Sequence, residues 1–296
     1  MVEGQDGLTW ERWQRIARTA EDAGFVGLYR SDHFTNPGGP FKDSLECWTS
    51  LAWLASQNSR LEFGPLVSPV SFHHPSMLVR QAAAIADLSG GRLQFGIGAG
   101  WQDREHTNYS YHLGDIPERM ARFRESVQIM AHLLRSDEPL TFEGKHYSMH
   151  EAVLLPRPRQ RVPIVIGGAG RHVTLPLVAT YADEWNSGPR SPEDFSETNA
   201  YLDSLLDRAE RPRSSVRRSM MIFLRFGRDQ ADLDAHLAAR PVPAGMRSMF
   251  VATPEQLRER LQALQAVGVE RAILNWMDDY DDVASMAALG KAVIGA

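Results

Sequence analysis

The chain has 296 residues, 43% of them hydrophobic, and a formal charge of −5 from 32 basic against 37 acidic side chains. That balance leaves no basic footprint for nucleic acid or an anionic membrane surface, so neither is expected as a partner. One cysteine, Cys47, excludes an internal disulfide, and no basic-then-apolar leader or run of about eighteen apolar residues is read, so the reducing cytoplasm is the expected compartment.

In chain order, "VEG" is the remnant of a first strand, short against the roughly five or six residues usual for one; either the strand is trimmed or the true start lies earlier. "LTWERWQRIARTAEDAGF" sets Trp10, Trp13, Ala17 and Ala20 at helical spacing between a Thr9 cap and a Gly24 stop. "FVGLYR" reads as a buried strand, the loop "SDHFTNPGGPFKD" follows, and a second helix runs from Leu45 to Asn58. The unit repeats: strand "LEFGPLV", helix Ser76 to Ser89, strand "LQFGI", helix Pro117 to Arg135. "LTFEGKHYSM" predicts an inserted hairpin turning at Glu143-Gly144-Lys145 after the fourth strand. Then come strand "PIVIGG" with a helix through Tyr181, strand "DEWN" with helix Pro192 to Ala209, and a seventh strand within Val216 to Leu224. An irregular insertion containing "RPVPAGMRSM" precedes the "TPEQLRERLQALQAVG" helix, strand "RAILNW" and a last helix. Eight strand-helix units without a seam predict one domain over 1–296, a closed (β/α)8 barrel of the α/β class with insertions after strands four and seven; an open doubly wound sheet is the second choice.

A barrel builds its site at the carboxyl ends of its strands, which selects the candidates. In "RSDHF", Asp32 can orient an imidazole or bond a ligand's ring edge, and His33 can exchange a proton near neutral pH. "GPLVSPVSFHHP" carries two prolines that predict a bulge toward the mouth; His73 and His74 are read as loop residues leading into the next helix, since adjacent extended side chains diverge and no metal-ligand spacing accompanies them. "GIGAGW" fails the dinucleotide fingerprint because Trp101 holds the place of its third glycine, so Gly96, Gly98 and Gly100 predict a strand end lying bare beside something flat or charged. In "IGGAGRHVTL", Gly167, Gly168, Ala169, Gly170 and Arg171 bring bare amides, a helix start and a guanidinium together, which suits a phosphate.

These residues resemble the luciferase-like monooxygenase superfamily, especially its branch of oxidoreductases that use the deazaflavin coenzyme F-420. The carriers are "EDAGFVGLYRSDHF", the block "LVSPVSFHHPSMLVRQAAAIADLSGGRLQFGIGAGWQDREH", "FEGKHY", "LLPRP", "IVIGGAG" followed by "ATYADEWN", and "ATPEQL". The resemblance implies a bacterial luciferase-like barrel, homodimeric, with a deazaflavin or flavin across the mouth and its phosphate on Gly167 to Arg171. It places Leu66, Val67 and Ser68 in a bulge under the ring, Gly98 and Ala99 beside it, Asp32 in contact with it, His33 in proton transfer and Trp101 at the edge of the substrate pocket. Glu3 stands where some members use a glutamate. The implied reaction is hydride transfer between F-420 and a small substrate, an imine, enone or carbonyl. The alternatives are an FMN-dependent monooxygenase fed by a flavin reductase, and an inactive flavin-binding barrel. Sugar-phosphate dehydrogenases of the branch place a threonine and a glutamate where this chain has Ala99 and Trp101, so a mostly apolar substrate is expected instead.

Overall fold

Local sequence decides where the elements start. Thr9 accepts a hydrogen bond from the Arg12 amide and opens α1 (Trp10–Asp22), whose buried stripe is Trp13, Ile16, Ala17 and Ala20. Side-chain caps also open α2 (Cys47–Ser56) through Glu46 and α3 (Pro75–Leu88) through His74. The remaining helices are α4 (Asp103–Asn108), α5 (Ile116–Arg135), α6 (Thr174–Tyr181), α7 (Pro192–Arg208), α8 (Gln230–Ala239), α9 (Pro254–Ala266) and α10 (Val283–Ile294). The structure is a computed structural model describing residues 1–242, 245–246 and 248–294. No described helix is long and apolar enough to cross a membrane.

The strands are β1 (Gly27–Arg30), β2 (Glu62–Pro65), β3 (Ser68–Pro69), β4 (Phe95–Gly98), β5 (Leu140–Glu143), β6 (Ser148–Ala152), β7 (Ile164–Gly167), β8 (Glu184–Ser187), β9 (Arg217–Phe226), β10 (Phe250–Ala252) and β11 (Arg271–Trp276). Parallel ladders join β1 to β2, β3 to β4, and then β4, β7, β8, β9 and β11 in succession. A bridge between Phe63 and Leu93 connects β2 to the approach of β4, and the ring closes through the first three residues. Val2 bridges Arg30 in parallel, while the Trp276 amide donates to the Met1 carbonyl at 2.9 Å and the Met1 nitrogen lies 2.7 Å from the Leu274 carbonyl. The fold is a (β/α)8 barrel in which "VEG" serves as the first stave through a single bridge.

Both expected insertions are present. β5 and β6 form the antiparallel hairpin after the fourth stave; Glu143 pairs with Ser148, so residues 144–147 make the turn and Glu143 belongs to the strand. After the seventh stave come α8 and β10, and β10 lies along β9 with Phe250 opposite Leu224. Positions 243, 244 and 247 of "RPVPAGMRSM" lie outside the described residues. The amino-terminal end of the barrel is plugged by Arg271, which meets the Tyr29 hydroxyl, Glu62 at 2.5 Å and Glu184 at 3.3 Å. The open end is therefore the carboxyl one.

The glycines of β4 have a cause that spacing did not disclose. A Cβ on Gly96 would stand 2.0 Å from the Pro65 carbonyl oxygen, and one on Gly98 would stand 2.5 Å from Val67 Cγ2. The neighbouring stave, bent between β2 and β3, presses directly on β4, so these positions are bare first because protein fills the space. This corrects the expectation that a flat or charged ligand alone required them; Gly98 serves both, since it also faces the cavity at the mouth.

Candidate active site

The carboxyl ends of the staves enclose a cavity of about 640 Å³, within the range of small-molecule sites. Leu66 and Val67, joined by a cis peptide, form one wall; Gly98, Ala99 and Trp101 continue it, and Gly167, Gly168, Ala169 and Gly170 follow from β7, the next strand of the ring. Met221, Phe223 and Met277 add apolar surface from the seventh and eighth staves. Glu3, Asp6 and His33 are the titratable side chains at the lining, and among the described residues no Lys or Arg lines it.

His33 extends from the end of β1 and meets the edge of Trp101, ring centroids 5.7 Å apart at 82°. Its Nδ1 lies 2.6 Å from Glu105 Oε1. Glu105 sits in the first turn of α4, fully buried, and its other oxygen accepts the Phe34 amide at 2.9 Å. Burial alone would depress the His33 pKa, but the hydrogen bond and charge of Glu105 outweigh it, with Glu3 and Asp32 adding to the same direction, so the net shift is upward. Glu105 was not among the residues selected from the sequence. The available signal was a carboxylate four residues beyond a strand-end tryptophan; its partner was not readable.

Asp32 is read from sequence as able to fix an imidazole's orientation or bond a ligand's ring edge; the structure gives it an imidazole to hold and corrects the contact with the cavity. Its carboxylate does not line the cavity; it lies beneath, where Oδ2 accepts the Ser68 hydroxyl at 2.6 Å and lies 2.9 Å from His73 Nε2. The imidazole it holds is that of His73, on the next stave, not that of His33. Ser68 likewise turns inward, with the Trp48 indole donating to its hydroxyl at 3.0 Å. Desolvation pushes the Asp32 pKa up, yet the bonds from His73 and Ser68 and the charges of His73 and Arg30 prevail and the net shift is downward. His73, read from sequence as a loop residue, is thus the half-buried partner of Asp32, whereas His74 caps α3.

Arg171 is the second correction. Its guanidinium pairs with Glu197 and lies 5.0 Å over the Tyr201 ring, both on α7, and the side chain is 47% exposed outside the cavity. The glycine loop also spends one amide internally, since Gly168 N–H donates to the Asn186 carbonyl at 3.0 Å. Among the described residues the Ala169 and Gly170 amides have no acceptor, and Thr174, at the start of α6, faces the cavity beside them. Glu3 does face the cavity, with Asn275 Nδ2 donating to Oε1 at 2.6 Å and Gln5 Nε2 to Oε2 at 2.9 Å. No cluster of three or more metal-ligating side chains occurs among the described residues.

Comparison with known proteins places this geometry. A family model described as luciferase-like monooxygenase matches residues 2–244. The F-420-dependent glucose-6-phosphate dehydrogenase of Kineococcus radiotolerans is 31% identical over 228 residues, 73% of this chain and 64% of that protein, so this chain spans less than two thirds of it. The F-420-dependent hydroxymycolic acid dehydrogenase of Mycobacterium tuberculosis is 26% identical over 285 residues, 95% of this chain and 75% of that one. Among solved structures, an F-420-dependent secondary alcohol dehydrogenase in complex with an F-420-acetone adduct superposes with a TM-score of 0.84 at 18% identity, covering 99% of this chain and 98% of that chain. The EDTA monooxygenase of a Chelativorans species superposes at 0.78 with 14% identity, covering 95% and 86%. At such identities the superpositions speak for the fold. The family model spans most of the length, and the chain belongs to the luciferase-like monooxygenase family.

Proposed function

We propose that this chain is an F-420-dependent oxidoreductase, which moves a hydride between the deazaflavin and a small, mostly apolar substrate such as an imine, enone or carbonyl. The observation that carries this reading is the facing of two features across one apolar cavity: His33, backed by buried Glu105, and the Ala169–Gly170 amides beside Thr174. The cavity fits such a group, since Leu66, Val67, Gly98 and Ala99 line it together and the free amides suit a phosphate. When bound, the deazaflavin supplies the hydride chemistry. The protein's part is to seat a ring on Leu66, Val67, Gly98 and Ala99, to hold the phosphate with Ala169, Gly170 and Thr174, and to move a proton at His33 Nε2. Glu3 and Asp6, with no lining Lys or Arg among the described residues, repel an anionic substrate, so a phosphorylated sugar is disfavoured.

The test is the absorption spectrum of the protein after incubation with F-420 or with FMN and removal of free cofactor. F-420 is expected to stay with the protein, and substrate turnover to proceed equally with and without oxygen. Retention of FMN alone, with hydroxylation that needs oxygen and a flavin reductase, would replace this reading by a two-component monooxygenase. Retention without turnover of any carbonyl, enone or imine would favour a binding protein.

A further inference from the structure

We propose that Glu105 is the positioning residue of the site: it holds His33 with the hydrogen on Nδ1, so that Nε2 is presented to the cavity. The inference rests on the reading of His33 as the proton-handling group. Its basis is geometric. The Phe34 backbone can only donate, and it donates to Glu105 Oε2 at 2.9 Å, which establishes the fully buried side chain as an acceptor at that oxygen. With Glu105 as the carboxylate, both oxygens accept, and the 2.6 Å approach of His33 Nδ1 to Oε1 then carries the imidazole hydrogen. The other ring nitrogen, Nε2, has no protein partner among the described residues, and the ring lies at the cavity lining.

The rest of α4 keeps this contact in register. Gln102 Nε2 donates to the Thr35 carbonyl at 2.7 Å, and Arg104 Nη1 donates to Asn36 at its carbonyl and its side-chain oxygen at 3.2 and 3.1 Å. Residues 33–36 are therefore fastened to α4 at every step, and the His33–Glu105 contact is the member that faces the cavity. The adjacent carboxylate, Asp32, is committed to Ser68 and His73 and does not compete. Charges that bear on the imidazole are Glu105 from α4, Glu3 from the first stave and Asp32 from its own loop, all negative, and they favour the imidazolium. Because the folded imidazole holds its proton to higher pH than a free one, donation from His33 persists to higher pH than from a free imidazole and is lost as pH rises through the raised value.

The experiment is long-range proton–nitrogen NMR on the cofactor-free protein with labelled histidine, the His33 signals assigned by their loss in His33→Ala. The neutral wild-type ring is expected with its hydrogen on Nδ1 and a titration midpoint above that of a free imidazole. Glu105→Gln should lower that midpoint. With F-420 and substrate, the alkaline limb of the pH profile should move the same way, kcat on that limb falling about tenfold to a hundredfold while KM for the cofactor is unchanged. A hydrogen on Nε2 in the wild type, or a midpoint unmoved in folded Glu105→Gln, would overturn the assignment. If Glu105→Gln does not fold, the wild-type tautomer and midpoint decide alone. An intact His33–Glu105 signature without F-420 turnover would refute the proposed function and leave the pair standing; F-420 turnover with an unmoved midpoint would refute the pair alone.

Discussion

The two sides of the barrel mouth are built by different means. On the side of β1 and α4, the site is held by side chains bonded across long stretches of sequence: His33 to Glu105, Asp32 to Ser68 and His73, Gln102 to Thr35. On the β7 side the contributors are backbone amides and one small hydroxyl side chain, and the nearest guanidinium, Arg171, faces α7 instead. A network of buried side chains is costly to leave half satisfied, so its members are coupled and their geometry is narrow. A loop of amides is indifferent to which side chains flank it. Substitutions should therefore be felt strongly on the first side and weakly on the second.

The sharpest break in that contrast is His33→Ala, which should keep the fold and cofactor binding yet lose about a hundredfold to ten-thousandfold in turnover. Saturated turnover within about threefold of wild type at every pH would return His33 to a packing role. Next is Asp32→Ala, which leaves Ser68 and His73 without their shared acceptor and should cost about 1–3 kcal/mol in denaturant unfolding. The sign follows from the lowered pKa. Stability from the ionised group is present above the ordinary carboxylate value of 3.8 and is lost as pH falls through the lower folded value, so the gap between variant and wild type should close in acid. A gap independent of pH would assign the loss to shape rather than charge.

The smallest effect belongs to the other side. Arg171→Ala removes an exposed pair with Glu197, an arrangement worth about 0–1 kcal/mol, and should leave cofactor affinity close to wild type over a range of salt concentrations. A large, salt-dependent fall in affinity would mean that Arg171 swings from α7 onto the bound group, and the two sides would then differ less than their geometry indicates.

Much of the barrel was legible in the chain. Helical spacing in "LTWERWQRIARTAEDAGF", the Thr9 cap, and apolar runs such as "PIVIGG" act over one or two turns, so they determine the alternation of strand and helix without reference to the rest of the molecule. The same alternation marks strand ends, which is why His33, Leu66, Val67, Gly98, Ala99, Trp101 and the loop at Gly167 to Gly170 could be named as mouth residues from sequence and are found lining one cavity. What the tertiary structure alone decided is pairing. Glu105 lies 72 positions from His33 and His73 lies 41 from Asp32; these contacts exist only because particular staves are neighbours in a closed ring at one register. Gly96 is bare because the Pro65 carbonyl presses on it from the next stave, and Arg171, long and flexible, takes its partner from whichever helix the fold sets beside it. Periodicity and capping are short-range and are written locally, whereas the partner of a buried charge is fixed by the packing of segments far apart in the chain.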